Sequence, residues 1–145
     1  MKKAFSLIVV FLAFATVSFA QKGVIKFTKE SHDFGKVPQG TPVTYTFEFT
    51  NTGTDPVVIS QATPSCGCTT PDWTKSAVMP GQKGFVKATY NAASMGSFNK
   101  NVTVVSNAER SSIPLTLTGE VVSKETAAAS PATPAADKRK TKGTR

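Results

Sequence analysis

Cys66 and Cys68 are the only cysteines in this chain of 145 residues, and a single glycine separates them in Ser65-Cys66-Gly67-Cys68-Thr69. Two thiols at that spacing are open to three kinds of chemistry. They could form a structural pair, joined in a tight bridge or packed against Trp73 as small apolar side chains. They could exchange a disulfide with an external thiol, or clamp Cu(I) between two thiolates. Zinc fits poorly, because a structural site takes four ligands and the chain has one histidine, His32. Nothing in the sequence brings His32, Met79 or Met95 to the pair, and Lys75 is the one nearby base that could approach a thiol. Stability is a poor reason for a bridge. Closing a three-residue loop restricts the unfolded chain by about 1.6 kcal/mol, against about 3 kcal/mol for a fifteen-residue loop. Gly67 is expected to supply the bend that bridging needs, and such a bridge is expected to be strained and easily reduced.

The compartment decides which of these chemistries is open. Lys2 and Lys3 form a basic start, Ala4 to Phe14 is apolar, and Ser18-Phe19-Ala20 places small residues where a signal peptidase reads. The expected organisation is therefore a signal peptide over 1–20, a domain over 21–122 and a tail over 123–145. Ser6, Thr16 and Ser18 interrupt an apolar run that is short of the roughly 20 residues a spanning helix needs. Cleavage after Ala20 would leave Gln21 at the mature N-terminus, with no cysteine for lipid attachment and no stable membrane insertion. The expected location is periplasmic or extracellular.

The net charge of +8 argues for an anionic partner only until it is located along the chain. Two of the 17 basic residues lie in the leader, and six (Lys124, Lys138, Arg139, Lys140, Lys142 and Arg145) lie in the tail against Glu125 and Asp137. The domain between them is close to neutral, with no concentration of charge of the kind nucleic acid requires. Ala127 to Ala136 lacks any large apolar residue, so the tail reads as disordered. Its basic cluster could touch anionic envelope polymers, weakly and in a salt-sensitive way.

The elements that must position the cysteine pair are strands. Val43, Tyr45, Phe47 and Phe49 alternate with Thr44, Thr46, Glu48 and Thr50, which gives a period of two. Asn51 to Pro56 is a turn by composition, and Val57 to Ile59 begins the next strand. Pro80-Gly81 turns the chain into Phe85 to Tyr90, and Phe98 to Val105 and Ser112 to Val122 follow with alternating apolar positions. Val24 to Phe27 and Phe34 to Val37 are short strands ahead of the first long one. About seven strands and no convincing helix predict an all-β fold, a single immunoglobulin-like antiparallel sandwich. Ser65 to Trp73 is expected to be an end loop in which Pro64 and Pro71 stiffen the chain and Trp73 plugs one end of the sandwich.

Several segments taken in order resemble a family. They are Asp33-Phe34-Gly35-Lys36-Val37 with Gly40, Tyr45-Thr46-Phe47-Glu48-Phe49-Thr50-Asn51-Thr52-Gly53, and Pro56-Val57-Val58-Ile59. Ser65-Cys66-Gly67-Cys68-Thr69-Thr70-Pro71-Asp72-Trp73, Pro80-Gly81 and Gly96-Ser97-Phe98-Asn99-Lys100 through Val105-Ser106-Asn107 follow. The chain resembles an exported bacterial family of unknown function with immunoglobulin-like domains, related in fold to ASH/Hydin, major sperm protein and pilus-chaperone sandwiches. The resemblance implies fold and export, and it favours a non-enzymatic role because relatives of this fold scaffold or bind other proteins.

Other motifs carry no chemistry. Asp33-Phe34-Gly35 lacks the companion motifs of a kinase, and Gly81-Gln82-Lys83-Gly84 lies between strands where an RNA-binding KH clamp needs helices. No nucleophile is placed beside His32, so a hydrolytic triad has no support. The expectation is a non-catalytic envelope module without a cofactor, which binds another envelope or secreted protein through a sheet edge and end loops. The alternative is a thiol-redox or copper-handling protein that uses Cys66 and Cys68.

Overall fold

The computed structural model describes residues 22–128, so the expected leader and the tail beyond Ala128 lie outside the described residues. Among these residues eight strands run in chain order: β1 (Ile25–Phe27), β2 (Ser31–Pro38), β3 (Val43–Asn51), β4 (Ile59–Pro64), β5 (Thr69–Trp73), β6 (Lys83–Tyr90), β7 (Gly96–Ser106) and β8 (Ser112–Val122). They form two four-stranded sheets, ordered β1-β3-β6-β5 and β2-β8-β7-β4. The alternation read from the sequence is the alternation of burial. Phe47 and Phe49 of β3, Val86, Ala88 and Tyr90 of β6, Val102 and Val104 of β7, and Ile113, Leu115 and Leu117 of β8 fill the space between the sheets. Burial of that apolar surface, at about 25 cal/mol per Å², is the main force holding the layers together.

Three features differ from the sequence expectation. The sandwich is mixed, because β2 pairs with β8 in parallel while the other named pairs are antiparallel. After β1 the chain passes at Thr28–Glu30 into the other sheet without a hairpin reversal, and β2 lies there beside β8, running in the same direction. Second, Thr69–Trp73 is a strand, in register with Tyr90–Val86 of β6, and is not part of a loop. Third, Lys124–Ala128 at the start of the expected tail forms a one-turn helix, α1. Ser123 caps it, its Oγ accepting from the Thr126 backbone N–H at 3.3 Å.

Pro114 sits inside β8, where proline would ordinarily break a ladder. The Thr116 N–H points toward β2 and donates to the Glu30 carbonyl at 2.9 Å. The nitrogen of Pro114, two residues earlier, therefore points the same way but past the start of β2, where no ladder bond is lost.

Among the described residues, one polar side chain is fully enclosed. Asn51 has 0% exposure; its Oδ1 accepts from the Val24 and Gly53 N–H groups at 3.3 and 3.0 Å. Its Nδ2 donates to the Asp55 and Val78 carbonyls at 2.7 and 2.9 Å. The residue thus ties the entry to β1, the turn after β3 and the segment before β6 to a single amide.

Candidate functional site

The residues singled out by their chemistry lie where two edge strands meet. β4 ends one sheet and β5 ends the other, and residues 65–68 carry the chain between them. The Cys66 carbonyl accepts from the Thr69 N–H at 3.4 Å, which closes a four-residue turn. Cys66 and Cys68 are joined by a disulfide with a Cα–Cα distance of 5.3 Å. Both are half-buried, and Cys68 packs against the core. The Cys66 Sγ lies 3.9 Å from the Thr69 hydroxyl.

Gly67 does not play the expected part. It has no positive φ, and a Cβ built on it would meet nothing within 4 Å. Neither central residue of the turn is left-handed, a geometry that most residue types tolerate, so the bend does not depend on glycine.

Pro71 and Trp73 belong to β5, and Trp73 closes a flank of the sandwich instead of plugging an end. Its indole Nε1–H donates to the Ile59 carbonyl of β4 at 3.2 Å, bridging the two edge strands. At about 3.3 Å per residue, β5 carries Trp73 away from the cysteines, so they are bonded to each other and not packed against the indole. Lys75 is drawn to that far end too, its Nζ 2.9 Å from the centre of the Trp73 ring, and is not beside a sulfur. His32 is on β2 at the opposite flank, and Met79 and Met95 are exposed. Among the described residues no three His, Cys, Asp or Glu side chains are grouped to hold a metal ion.

The turn is anchored to the rest of the sandwich end by backbone. The Cys68 carbonyl accepts from the Asn91 N–H at 3.0 Å, and the Ala92 carbonyl accepts from the Gly40 N–H at 2.8 Å. Ala92 between them is fully buried with φ of 51°, a left-handed conformation uncommon for a residue with a side chain.

The opposite flank holds a feature that sequence reasoning did not locate. β1 is three residues long and covers β3 only from Phe49 to Asn51, with one further bond from the Thr28 N–H to the Glu48 carbonyl at 2.9 Å. Because backbone groups alternate sides along a strand, the N–H and C=O of Thr44 and Thr46 face the same way as those of Glu48. No strand among the described residues covers them. Among the described residues, neither the N–H nor the C=O of Thr44 or Thr46 has a hydrogen-bond partner on that side. Beside this edge, His32 of β2 stacks on Tyr45 at 3.6 Å between centroids and meets Phe34 edge-on at 4.6 Å. Burial, aided by the nearby Lys29 charge and opposed by Asp33, holds the His32 imidazole below its ordinary pKa.

With this geometry in place, the comparison with known proteins is direct. Residues 25–121 match the family described as "Protein of unknown function (DUF1573)". The chain belongs to that family. No curated protein is similar to it in sequence. A protein of unknown function from Porphyromonas gingivalis W83 superposes with a TM-score of 0.62 at 18% identity, over 74% of this chain and 50% of that one. The ASH/PapD-like domain 7 of human CEP192 superposes at 0.56 and 14% identity, over 70% of this chain and 87% of that one. The secreted serine protease VesC from Vibrio cholerae gives 0.54 and 14%, over 72% and 25%. The chain therefore spans half the length of the P. gingivalis structure and a quarter of VesC. These likenesses show the fold alone, an immunoglobulin-like β-sandwich.

Proposed function

We propose that this DUF1573 domain is an exported, non-catalytic binding module that accepts an extended segment of a protein partner along the free edge of β3. One observation carries the reading. Unpaired sheet edges template the addition of another strand, and proteins that avoid this shorten, bulge or proline-block them. Here β1 is short, β2 is irregular between Asp33 and Lys36 and ends at Pro38, β4 is irregular between Ile59 and Gln61 and ends at Pro64, and β5 contains Pro71. Val43 to Phe47 has none of these devices. Main-chain bonds at Thr44 and Thr46 would supply affinity, while His32, Phe34 and Tyr45 would supply side-chain contacts. The test is a photo-crosslinking residue at Thr46, compared with one at Thr70 on β5, in living cells. A protein adduct from Thr46 that survives replacement of both cysteines by serine is expected; equal adducts from both positions would sink the reading.

The runner-up makes Cys66 and Cys68 a thiol-redox or Cu(I) site. It is favoured by a half-buried bridge in a turn whose backbone does not require glycine. Thiol counting by intact mass, before and after mild reduction and anaerobic Cu(I) exposure, tests it. A bridge that resists reduction and takes up no copper would rule it out.

A further inference from the structure

We propose that the strand received by the β3 edge is β3 of a second copy of this chain, paired antiparallel about a two-fold axis through Tyr45. The inference rests on the free-edge reading and names its occupant. Val43-Thr44-Tyr45-Thr46-Phe47 reads nearly the same in both directions: apolar, Thr, Tyr, Thr, apolar. A two-fold axis at Tyr45 sets Thr44 opposite Thr46 of the second copy, Tyr45 opposite Tyr45, and Val43 opposite Phe47. That register fits the directions of the backbone groups. Thr44 and Thr46 are the residues whose N–H and C=O face outward, and in an antiparallel pair two opposed outward-facing residues exchange both bonds. Thr44 and Thr46 of each copy thereby form four inter-copy hydrogen bonds, and the groups left unpaired in one copy are satisfied together.

Electrostatics permit the same arrangement. Like charges directly opposite one another would oppose self-pairing, and the five residues carry no charge. Glu48, the first charged residue after them, falls opposite Pro42, and its carbonyl is already occupied by Thr28. The pairing window is thus bounded at both ends, which fixes the register and keeps the interface small. Any partner strand gains the same main-chain bonds; what this chain's own strand adds at this register is a Thr44–Thr46 side-chain pair on each side of a central Tyr45–Tyr45 pair, both of favourable cross-strand types. Isologous pairing also closes on itself as a dimer, whereas head-to-tail edge pairing would propagate.

The experiment uses the chain as purified from its native cells. Mass in solution and amide hydrogen exchange are followed over a thousand-fold range of protein concentration. Expected is a shift from one copy to two, with the Thr44 and Thr46 amides slowing in step. Thr46→Pro removes one outward N–H per copy while sparing the ladder to β6. Loss of two bonds per dimer should raise the dissociation constant roughly 30-fold. Should that variant fold poorly, the amide readout on the unmodified chain stands alone. A single-copy mass at every concentration, with both amides exchanging freely, overturns the proposal. If the chain stays single but a different protein protects the same two amides, the second copy is wrong and the free-edge reading stands. If no partner ever protects them, both fail.

Discussion

Replacing Asn51 with alanine tests how the sandwich handles a polar group in its core. The amide is fully enclosed and makes four hydrogen bonds, to Val24, Gly53, Asp55 and Val78. Truncation would leave the Val24 and Gly53 N–H groups and the Asp55 carbonyl without a partner and open a small cavity, while the Val78 carbonyl keeps the Val57 N–H at 2.9 Å. A hydrogen bond contributes about 1 kcal/mol net, and a buried group left unsatisfied costs about 1–3 kcal/mol. Some orphaned groups lie near the turn surface and can recruit water, so a total of about 4 kcal/mol is expected for Asn51→Ala. For a domain of this size that lowers Tm by about 15–30 °C and removes much of the usual 5–15 kcal/mol of stability. Asn107 is the internal control. It makes analogous bonds, accepting from the Val58 N–H at 2.8 Å and donating to the Pro56 carbonyl at 3.0 Å, but it is exposed. Water can replace an exposed partner, so Asn107→Ala should cost less than about 1 kcal/mol. The assay is chemical denaturation of both variants against the parent chain. A loss at Asn51 no larger than that at Asn107 would refute the argument that burial, and not bond count, sets the cost.

Three further outcomes are expected. Replacing Cys66 and Cys68 together with serine should lower unfolding free energy by about 1.6 kcal/mol or less, because the bridge closes only a three-residue loop; a loss above about 3 kcal/mol in urea would show that it braces more than its own turn. Gly84→Ala should destabilise by about 1–3 kcal/mol, since the added Cβ would run into the Phe49 ring and reach Val78 at 3.0 Å; calorimetry showing an unchanged Tm contradicts this. The depressed pKa of His32 means that the unfolded chain binds the proton more readily than the folded one. Stability should therefore be unaffected well above the ordinary histidine pKa of about 6.5 and fall as pH drops through and below it. His32→Gln should remove that slope, and identical pH profiles for the two proteins between about pH 5 and 7 would show that His32 does not cause it.

Strand existence was legible in the sequence because it is written locally, in the period-two burial of stretches such as Val43 to Phe49 and Ser112 to Val122. β5 was not recognised, although Thr69, Pro71 and Trp73 alternate with the exposed Thr70 and Asp72. Proline suggests a loop, and only the sheet order shows that Pro71 lies on an edge strand, where proline is allowed. The parallel pairing of β2 with β8 joins residues more than eighty positions apart, such as Ser31 with Thr116, and no local pattern encodes that. Asn51 has the same composition signal as any turn asparagine; its role comes from Val24 and Val78, which are distant in sequence. The cysteine pair was legible as a pair but not in its state or setting. Its bridge, its independence from Gly67 and its distance from Trp73 all depend on where β4 and β5 sit.

The two flanks of the sandwich are built on opposite principles, and the contrast bears on which one receives a partner. On the flank of β4 and β5, a short covalently closed turn, two prolines and the Trp73 indole bonded to Ile59 link the two sheet edges. A strand arriving there would meet missing N–H groups and side chains that are already engaged. On the flank of β2 and β3, β1 stops early and leaves Thr44 and Thr46 unpaired beside a half-buried stack of His32 on Tyr45. Unpaired edges promote aggregation, and each of the other edge strands is shortened, irregular or interrupted by proline. On our proposal, the one five-residue stretch left without such protection is where a partner strand covers the main chain. The Cys66–Cys68 turn then lies on the flank away from that surface, which is why removing its sulfurs should leave edge pairing intact.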